Sequence, residues 1–230
     1  MTMIQNQLSA VRDRIHAACM ACGRAPEAVT LLAVSKTFGA DAVLAAHEAG
    51  QTAFGENYIQ EAVQKITTLG HLPLQWHCIG PIQSNKSRLV AEHFDWVHTV
   101  DRLKIAQRLS EQRPVALAPL QVCIQVNVDG GPTKAGVSPA QALALAREVA
   151  ALPRLRLRGL MCIPEPAPDF VAACAVFESA RALFDALNAE GLGLDTLSMG
   201  MSADLEAAIA SGSTMVRVGS AIFGQRQYPA

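Results

Sequence analysis

Lys36 closes the run Val29 to Lys36, Val-Thr-Leu-Leu-Ala-Val-Ser-Lys, a short stretch of β-branched and apolar residues. Such a run reads as a strand buried on both faces, as in a parallel sheet. Side chains alternate along a strand, so Leu32, Val34 and Lys36 share one face and Ala33 and Ser35 the other. A lysine carried to the rim of an apolar interior is costly as a bare cation. Its amine is driven toward the neutral, nucleophilic form, which is the chemistry of a Schiff-base lysine. The competing reading is a lysine that leaves the strand and snorkels to water.

Two later segments carry the other chemistry. Ser198-Met199-Gly200-Met201-Ser202 and Arg217-Val218-Gly219-Ser220 are rich in glycine and hydroxyl side chains. Gly200, Met201, Ser202, Gly219 and Ser220 could bring backbone N–H groups and hydroxyls to an anion such as a phosphate. They could equally be ordinary turn and cap residues. Arg217 alternates with Met215 and Gly219 and so faces the same interior as they do. A buried arginine needs an acceptor, which a phosphate, a carboxylate, a pyridine nitrogen or the nearby acid Asp204 would supply. Asn57 follows Ala53 and Gly55 on one face, where it either donates to a ligand hydroxyl or caps the next helix.

Those residues need a scaffold that brings them together, and the pattern of elements supplies one. Ile4, Leu8, Val11 and Ile15 recur at helical spacing over residues 3–22, and Gly23 stops the helix. Strands are expected at 29–36, 52–57, 75–80, 95–100, 120–128, 155–163, 196–201 and 214–223. Helices are expected at 41–48, 58–69, 85–93, from the cap Asp101 onward, at 139–152, 169–190 and 204–210. Ser138-Pro139-Ala140-Gln141 is a capping-box signature with Pro at the first helical position. In the 169–190 helix, Phe170, Cys174, Phe177, Phe184 and Leu187 are expected inside. Strands alternating with helix-length connections mean parallel β/α units, and eight of them at this length mean a single closed (β/α)8 TIM barrel over residues 1–230. A doubly wound open sheet is the alternative, weakened by the lack of a Gly-x-Gly-x-x-Gly after the first strand. In a barrel, Lys36, Asn57, His77, Ser198 and Arg217 all fall near the carboxyl ends of strands, where chemistry gathers, and phosphate sites form after strands seven and eight.

The bulk numbers narrow the class. The chain has 230 residues, half of them hydrophobic, and a formal net charge of −1, so no nucleic-acid or membrane partner is expected. No secretory leader or bilayer-spanning run is visible, which predicts a cytoplasmic protein. The six cysteines are read as reduced core residues. Cys19 and Cys22 form a Cys-x-x-Cys with His16 upstream, but no second ligand pair accompanies them. They are read as a packed helix face, and no metal site is expected.

A lysine amine, a phosphate cradle and an arginine in one barrel mouth fit two ligands. One is a sugar phosphate held as a Schiff base, as in an aldolase. The other is pyridoxal 5'-phosphate (PLP), whose aldehyde takes the lysine and whose phosphate takes the cradle. The aldolase reading needs a second lysine or an acid pair beside Lys36, and no strong candidate is visible.

Longer motifs discriminate between them. Ala-Val-Ser-Lys-Thr at 33–37, Phe-Gly-Glu-Asn-Tyr at 54–58, Trp-His-Cys-Ile-Gly-Pro-Ile-Gln-Ser-Asn-Lys at 76–86, Arg-Gly-Leu-Met at 158–161, Ser-Met-Gly-Met-Ser-Ala-Asp at 198–204 and Val-Arg-Val-Gly-Ser-Ala-Ile-Phe-Gly at 216–224 closely resemble the pyridoxal phosphate homeostasis protein family, the YggS/PROSC type. The resemblance covers nearly the whole chain. It implies a barrel of the alanine racemase N-terminal domain type with an extra N-terminal helix. It implies PLP on Lys36 as a Schiff base, its phosphate against 200–202 and 219–220, and Arg217 facing the pyridine nitrogen. Phe38-Gly39 and Cys78 depart from the family pattern, and neither is expected to touch the lysine, the arginine or the cradle. Lys134, in the 129–136 loop, is either a second anion contact or a solvated loop lysine.

The resemblance implies a PLP carrier or buffer with no catalytic residue, PLP-dependent apo-enzymes being its expected recipients. The alternative is an amino-acid racemase-like enzyme. Racemisation needs bases on both faces of the substrate carbanion. Lys36 supplies one, and neither Tyr58 nor Tyr228 has an obvious route to the other face. Resembling racemases take the second base from an added C-terminal domain that also builds their dimer, and this sequence shows no such domain. A monomer with a solvent-exposed cofactor is expected.

Overall fold

A computed structural model of the chain describes residues 2–131 and 135–224. Lys134 and Tyr228 lie outside these described residues. The elements follow one another as α1 (Met3–Ala21), β1 (Thr30–Val34), α2 (Ala40–Glu48), β2 (Ala53–Glu56), α3 (Ile59–Thr68), β3 (Gln75–Cys78), α4 (Ser87–His93), β4 (Trp96–Val100), α5 (Leu103–Gln112), β5 (Leu120–Gln125), α6 (Pro139–Ala150), β6 (Leu155–Met161), α7 (Phe170–Ala189), β7 (Thr196–Ser198), α8 (Leu205–Ala210), β8 (Met215–Val218) and α9 (Ser220–Phe223). The eight strands are parallel and pair in sequence order, and β8 returns to β1 with Leu32 opposite Arg217. The sheet is therefore a closed barrel, and the open doubly wound alternative falls.

Alternation along each strand divides the core into an inside and an outside. Leu32, Val34, Ala53, Ile79 and Met215 pack together within the barrel, and Trp96, Cys123 and Met161 form a second interior group. Ala33, Phe54, Cys78, Val97, Val122 and Val216 face outward into the larger core beneath the helices. Strands buried on both faces explain why the sequence shows apolar runs instead of a polar–apolar alternation. At Gly159 of β6 the backbone of β7 comes so close that a Cβ would lie 1.6 Å from the Thr196 carbonyl oxygen. Only glycine permits that approach.

α1 begins in a capping box: Thr2 Oγ1 accepts from Gln5 N at 3.3 Å, and Gln5 Oε1 accepts from Thr2 N at 2.7 Å. It buries Leu8, Val11, Ile15 and Cys19, while His16 and Cys22 are exposed. The Cys-x-x-Cys is thus divided between a packed face and solvent. Among the described residues no group of His, Cys, Asp and Glu could hold a metal. α1 is tied to the barrel's later segments: Arg14 pairs with Glu206 at 2.8 Å and donates to the Ser202 carbonyl at 3.0 Å. The α6 capping signature is also realised, with Gln141 Oε1 accepting from Ser138 N at 3.1 Å.

Several expected boundaries move. The run 214–223 is not one strand: β8 stops at Val218, and Ser220–Phe223 turn into α9. A short apolar run is ambiguous between strand and helix, and here Ile222 and Phe223 are buried as a helical turn. β1 ends at Val34, so Ser35 and Lys36 lie just past it, and β5, β6 and β7 also end a few residues early. α5 starts at Leu103 with Arg102 at its cap position, so Asp101 does not cap it. Phe170, expected inside, is the first residue of α7 and is 56% exposed, whereas Phe177, Phe184 and Leu187 are buried.

Candidate functional site

A cavity of about 560 Å³ opens at the carboxyl ends of the strands. Lys36 after β1, Asn57 after β2, Met201 and Ser202 after β7, and Gly219 and Ser220 after β8 all line it, together with Arg217 from within β8. Seven of the sequence-predicted site residues therefore share one cavity. Ser198 and Gly200 do not line it. Ser198 is wholly buried one layer below. Gly200 has φ +94°, and a Cβ there would meet Ala208 Cβ at 2.5 Å, so its role is to let the chain turn sharply from β7 into the 201–203 segment. His77 is also wholly buried in the interior, away from the cavity wall.

Lys36 is half-buried in a turn whose two flanks are anchored. On one side Ser35 Oγ donates to Glu56 Oε1 at 2.6 Å, and Lys65 Nζ donates to the Ser35 carbonyl at 2.9 Å. On the other, Thr37 N donates to Glu61 Oε1 at 2.9 Å, and Thr37 takes φ +69°, a left-handed conformation unusual for threonine. Lys65 closes the cluster by pairing with Glu56 at 2.8 Å and Glu61 at 2.7 Å. Burial pushes the Glu56 carboxyl up from its ordinary pKa, against the opposing pull of Lys65 and Ser35. Sequence pattern alone does not reveal this cluster. Glu61 and Lys65 are spaced as a helical i,i+4 pair, but nothing in the spacing announces that Glu56 is buried beside them.

Arg217 is 4% exposed. Its Nη1 donates to Ser198 Oγ and its Nη2 to the Cys162 carbonyl, both at 2.8 Å. Both partners are neutral. Asp204, the acid expected as an alternative partner, instead accepts from Met201 N at 2.6 Å, and no carboxylate among the described residues forms an ion pair with Arg217. A guanidinium stays cationic, so this one presents to the cavity a positive charge that no direct ion pair among the described residues neutralises, Asp204 acting on it only through space.

Asn57 does not cap α3, whose cap position is Tyr58. Its Oδ1 is buried without a hydrogen-bond partner among the described residues. Such a group is costly unless something else satisfies it. Ser202 Oγ and Ser220 Oγ converge to 3.4 Å at the cavity edge. Phe38 also borders the cavity, and its one ring contact among the described residues is with Phe223, at 5.3 Å. Cys78 does stay clear, buried in the outer core.

The described lining thus combines one amine, one unneutralised guanidinium, paired hydroxyls and an unsatisfied amide. The family model described as alanine racemase, N-terminal domain, matches residues 7–227. The chain is 59% identical over 230 residues to the pyridoxal phosphate homeostasis protein of Pseudomonas aeruginosa, covering 100% of this chain and 99% of that one. It is 56% identical to the protein of the same description from Escherichia coli K12, covering 99% of each. The chain belongs to the pyridoxal phosphate homeostasis protein family. Among solved structures, PipY of Synechococcus elongatus, a member of the same family determined with PLP bound, superposes with a TM-score of 0.83 at 37% identity, over 96% of this chain and 100% of PipY. Alanine racemase of Clostridium difficile shares the fold, with a TM-score of 0.75 at 17% identity over 99% of this chain and 57% of the racemase. The barrel with its preceding helix is therefore the racemase N-terminal fold in its homeostasis-family form. Among the described residues no helix is long and apolar enough to cross a membrane.

Proposed function

We propose that this chain binds PLP through Lys36 and serves as a carrier or buffer of the cofactor in the cytoplasm. The observation that carries this reading is the pairing of Lys36 with Arg217 in one cavity, the guanidinium being held only by neutral partners. Lys36 Nζ condenses with the aldehyde of PLP, releasing one water, and holds it as a Schiff base. Ser202, Gly219 and Ser220 receive the phosphate, Gly200 shapes the adjoining turn, and Met201 closes the wall. Arg217 faces the pyridine nitrogen, Ser198 fixes Arg217 from below, and Asn57 offers its amide to a polar group of the ring.

When bound, PLP supplies an electrophilic carbon and an electron-accepting ring. A guanidinium is a permanent donor, so Arg217 keeps the ring nitrogen unprotonated and weakens that electron sink. Among the described residues lining the cavity, only Lys36 can act as a base. A racemase needs two, which favours the carrier over the enzyme.

Purified protein and Lys36→Ala are compared by visible absorbance after PLP addition, before and after borohydride. A visible band that requires Lys36, with borohydride fixing the cofactor to that residue, supports the reading. A wild-type protein that takes up no PLP overturns it. Turnover of D- and L-amino acids well above that of free PLP would instead establish the enzyme.

A further inference from the structure

The partners of Arg217 continue as a chain of hydrogen bonds through the barrel interior. Arg217 Nη1 reaches Ser198 Oγ at 2.8 Å, Ser198 Oγ lies 2.9 Å from His98 Nδ1, His98 Nε2 lies 2.9 Å from His77 Nδ1, and His77 Nε2 lies 3.0 Å from Gln75 Oε1. Ser198, His98 and His77 are each wholly buried, while Gln75 is exposed at the start of β3. The chain therefore runs from the cavity at one end of the barrel to solvent at the other.

The direction of every link follows from its first donor. Arg217 can only donate, so Ser198 Oγ accepts. The Ser198 proton then has one partner within reach, His98 Nδ1. If His98 Nδ1 donated instead, the serine proton would be buried without an acceptor. His98 is thus the Nε2–H tautomer and donates to His77 Nδ1. His77 is then also the Nε2–H tautomer and donates to the Gln75 side-chain oxygen Oε1. All protons point away from Arg217. Burial keeps both rings neutral, with His77 pushed down to about 3 and His98 well below its ordinary value. Trp96 stacks on His77 at 5.2 Å with an interplanar angle of 9°, which restrains the ring.

We propose that His98 and His77 are positioning residues for the cavity, forming with Ser198 and Gln75 a polarised neutral relay that holds Arg217 toward the bound ligand without cancelling its charge. Each donation enriches the oxygen or nitrogen that makes it, so Ser198 Oγ becomes a better acceptor for the guanidinium. A carboxylate in place of Ser198 would hold Arg217 as firmly but would neutralise it. The neutral relay leaves the full positive charge available to an electron-rich ring nitrogen. The effect on PLP rests on the functional reading above; the proton order of the relay does not.

Two measurements on the full chain test this. The first is long-range proton–nitrogen correlation of the histidine rings in uniformly 15N-labelled protein, with His77→Gln and His98→Gln for assignment and PLP as the probe. The expected result is the Nε2–H tautomer for both residues, with both ring signals moving when PLP is added. An Nδ1–H tautomer at either position, or an imidazolium at neutral pH, overturns the relay. The second is PLP release from His98→Gln and from Ser198→Ala, which breaks the link while leaving both histidines in place. Release about tenfold faster, with a shifted visible band and Lys36 still fixed by borohydride, is expected. Release and spectrum unchanged in Ser198→Ala overturn the positioning role even if His98→Gln fails to fold. A wild-type protein that binds no PLP defeats the positioning role together with the functional reading, while the tautomers alone decide the relay.

Discussion

Lys65→Met removes the cation from the cluster behind Lys36 while keeping most of the side-chain stem. In the folded protein Lys65 Nζ lies 2.8 Å from Glu56, 2.7 Å from Glu61 and 2.9 Å from the Ser35 carbonyl, and Glu56 is wholly buried. Breaking a buried pair from one side leaves an uncompensated charge, at a cost of about 3–5 kcal/mol. For a domain of this size that lowers Tm by roughly 6–20 °C. The sign of the pH dependence is fixed by Glu56. Its folded pKa is already above the ordinary value through burial, and losing Lys65 raises it further. A raised carboxyl is no handicap below its unfolded pKa, where both states are protonated, and it costs stability as pH rises from there toward the folded pKa. The deficit of Lys65→Met relative to wild type should therefore be smallest near about pH 4.5 and grow toward neutrality. Urea denaturation of both proteins at a series of pH values measures it, and Glu56→Gln on the Lys65→Met background should recover part of the loss. A deficit below about 1 kcal/mol, the size of an exposed pair, or one that does not vary with pH, would refute the argument.

Gly159→Ala drives a methyl group to within 1.6 Å of the Thr196 carbonyl and should cost at least about 3 kcal/mol or abolish soluble expression, checked by thermal melting. His77 and His98 have folded pKa values below their unfolded ones, so the unfolded state binds more protons below about pH 6.5 and stability should fall there, by up to about 1.4 kcal/mol per pH unit for each ring. A urea midpoint that stays flat between about pH 7 and pH 5.5 would contradict this. Burial pushes the Cys78, Cys123 and Cys162 thiols up to about 12, so under native conditions a thiol reagent should modify exposed Cys22 first and leave those three unreacted until denaturant is added.

Much of the site was readable from local pattern because strands have a fixed parity. With 29–36 read as a buried strand, Leu32, Val34 and Lys36 must share a face, and the same rule sets Arg217 beside Met215 and Gly219. Lys36 does line the cavity, although β1 ends at Val34 and a turn delivers the side chain. Capping chemistry is equally local, which is why Ser138 and Gln141 could be paired by spacing alone. The failures have a common origin. Whether 220–223 continues β8 or turns into α9 depends on the surface it packs against, and its composition fits both. The Glu56–Lys65 pair joins a strand to the following helix in a dry interior that neither residue type advertises.

The relay beneath Arg217 shows where local reading ends. Gln75, His77, His98 and Ser198 come from three strands, and His98 and Ser198 lie a hundred residues apart. Their types and parity are written in the chain, but their common height within the barrel comes from strand register. That register is a property of the closed sheet, set by packing all around the barrel. Local preferences dictated that these side chains point inward, and barrel closure made them meet.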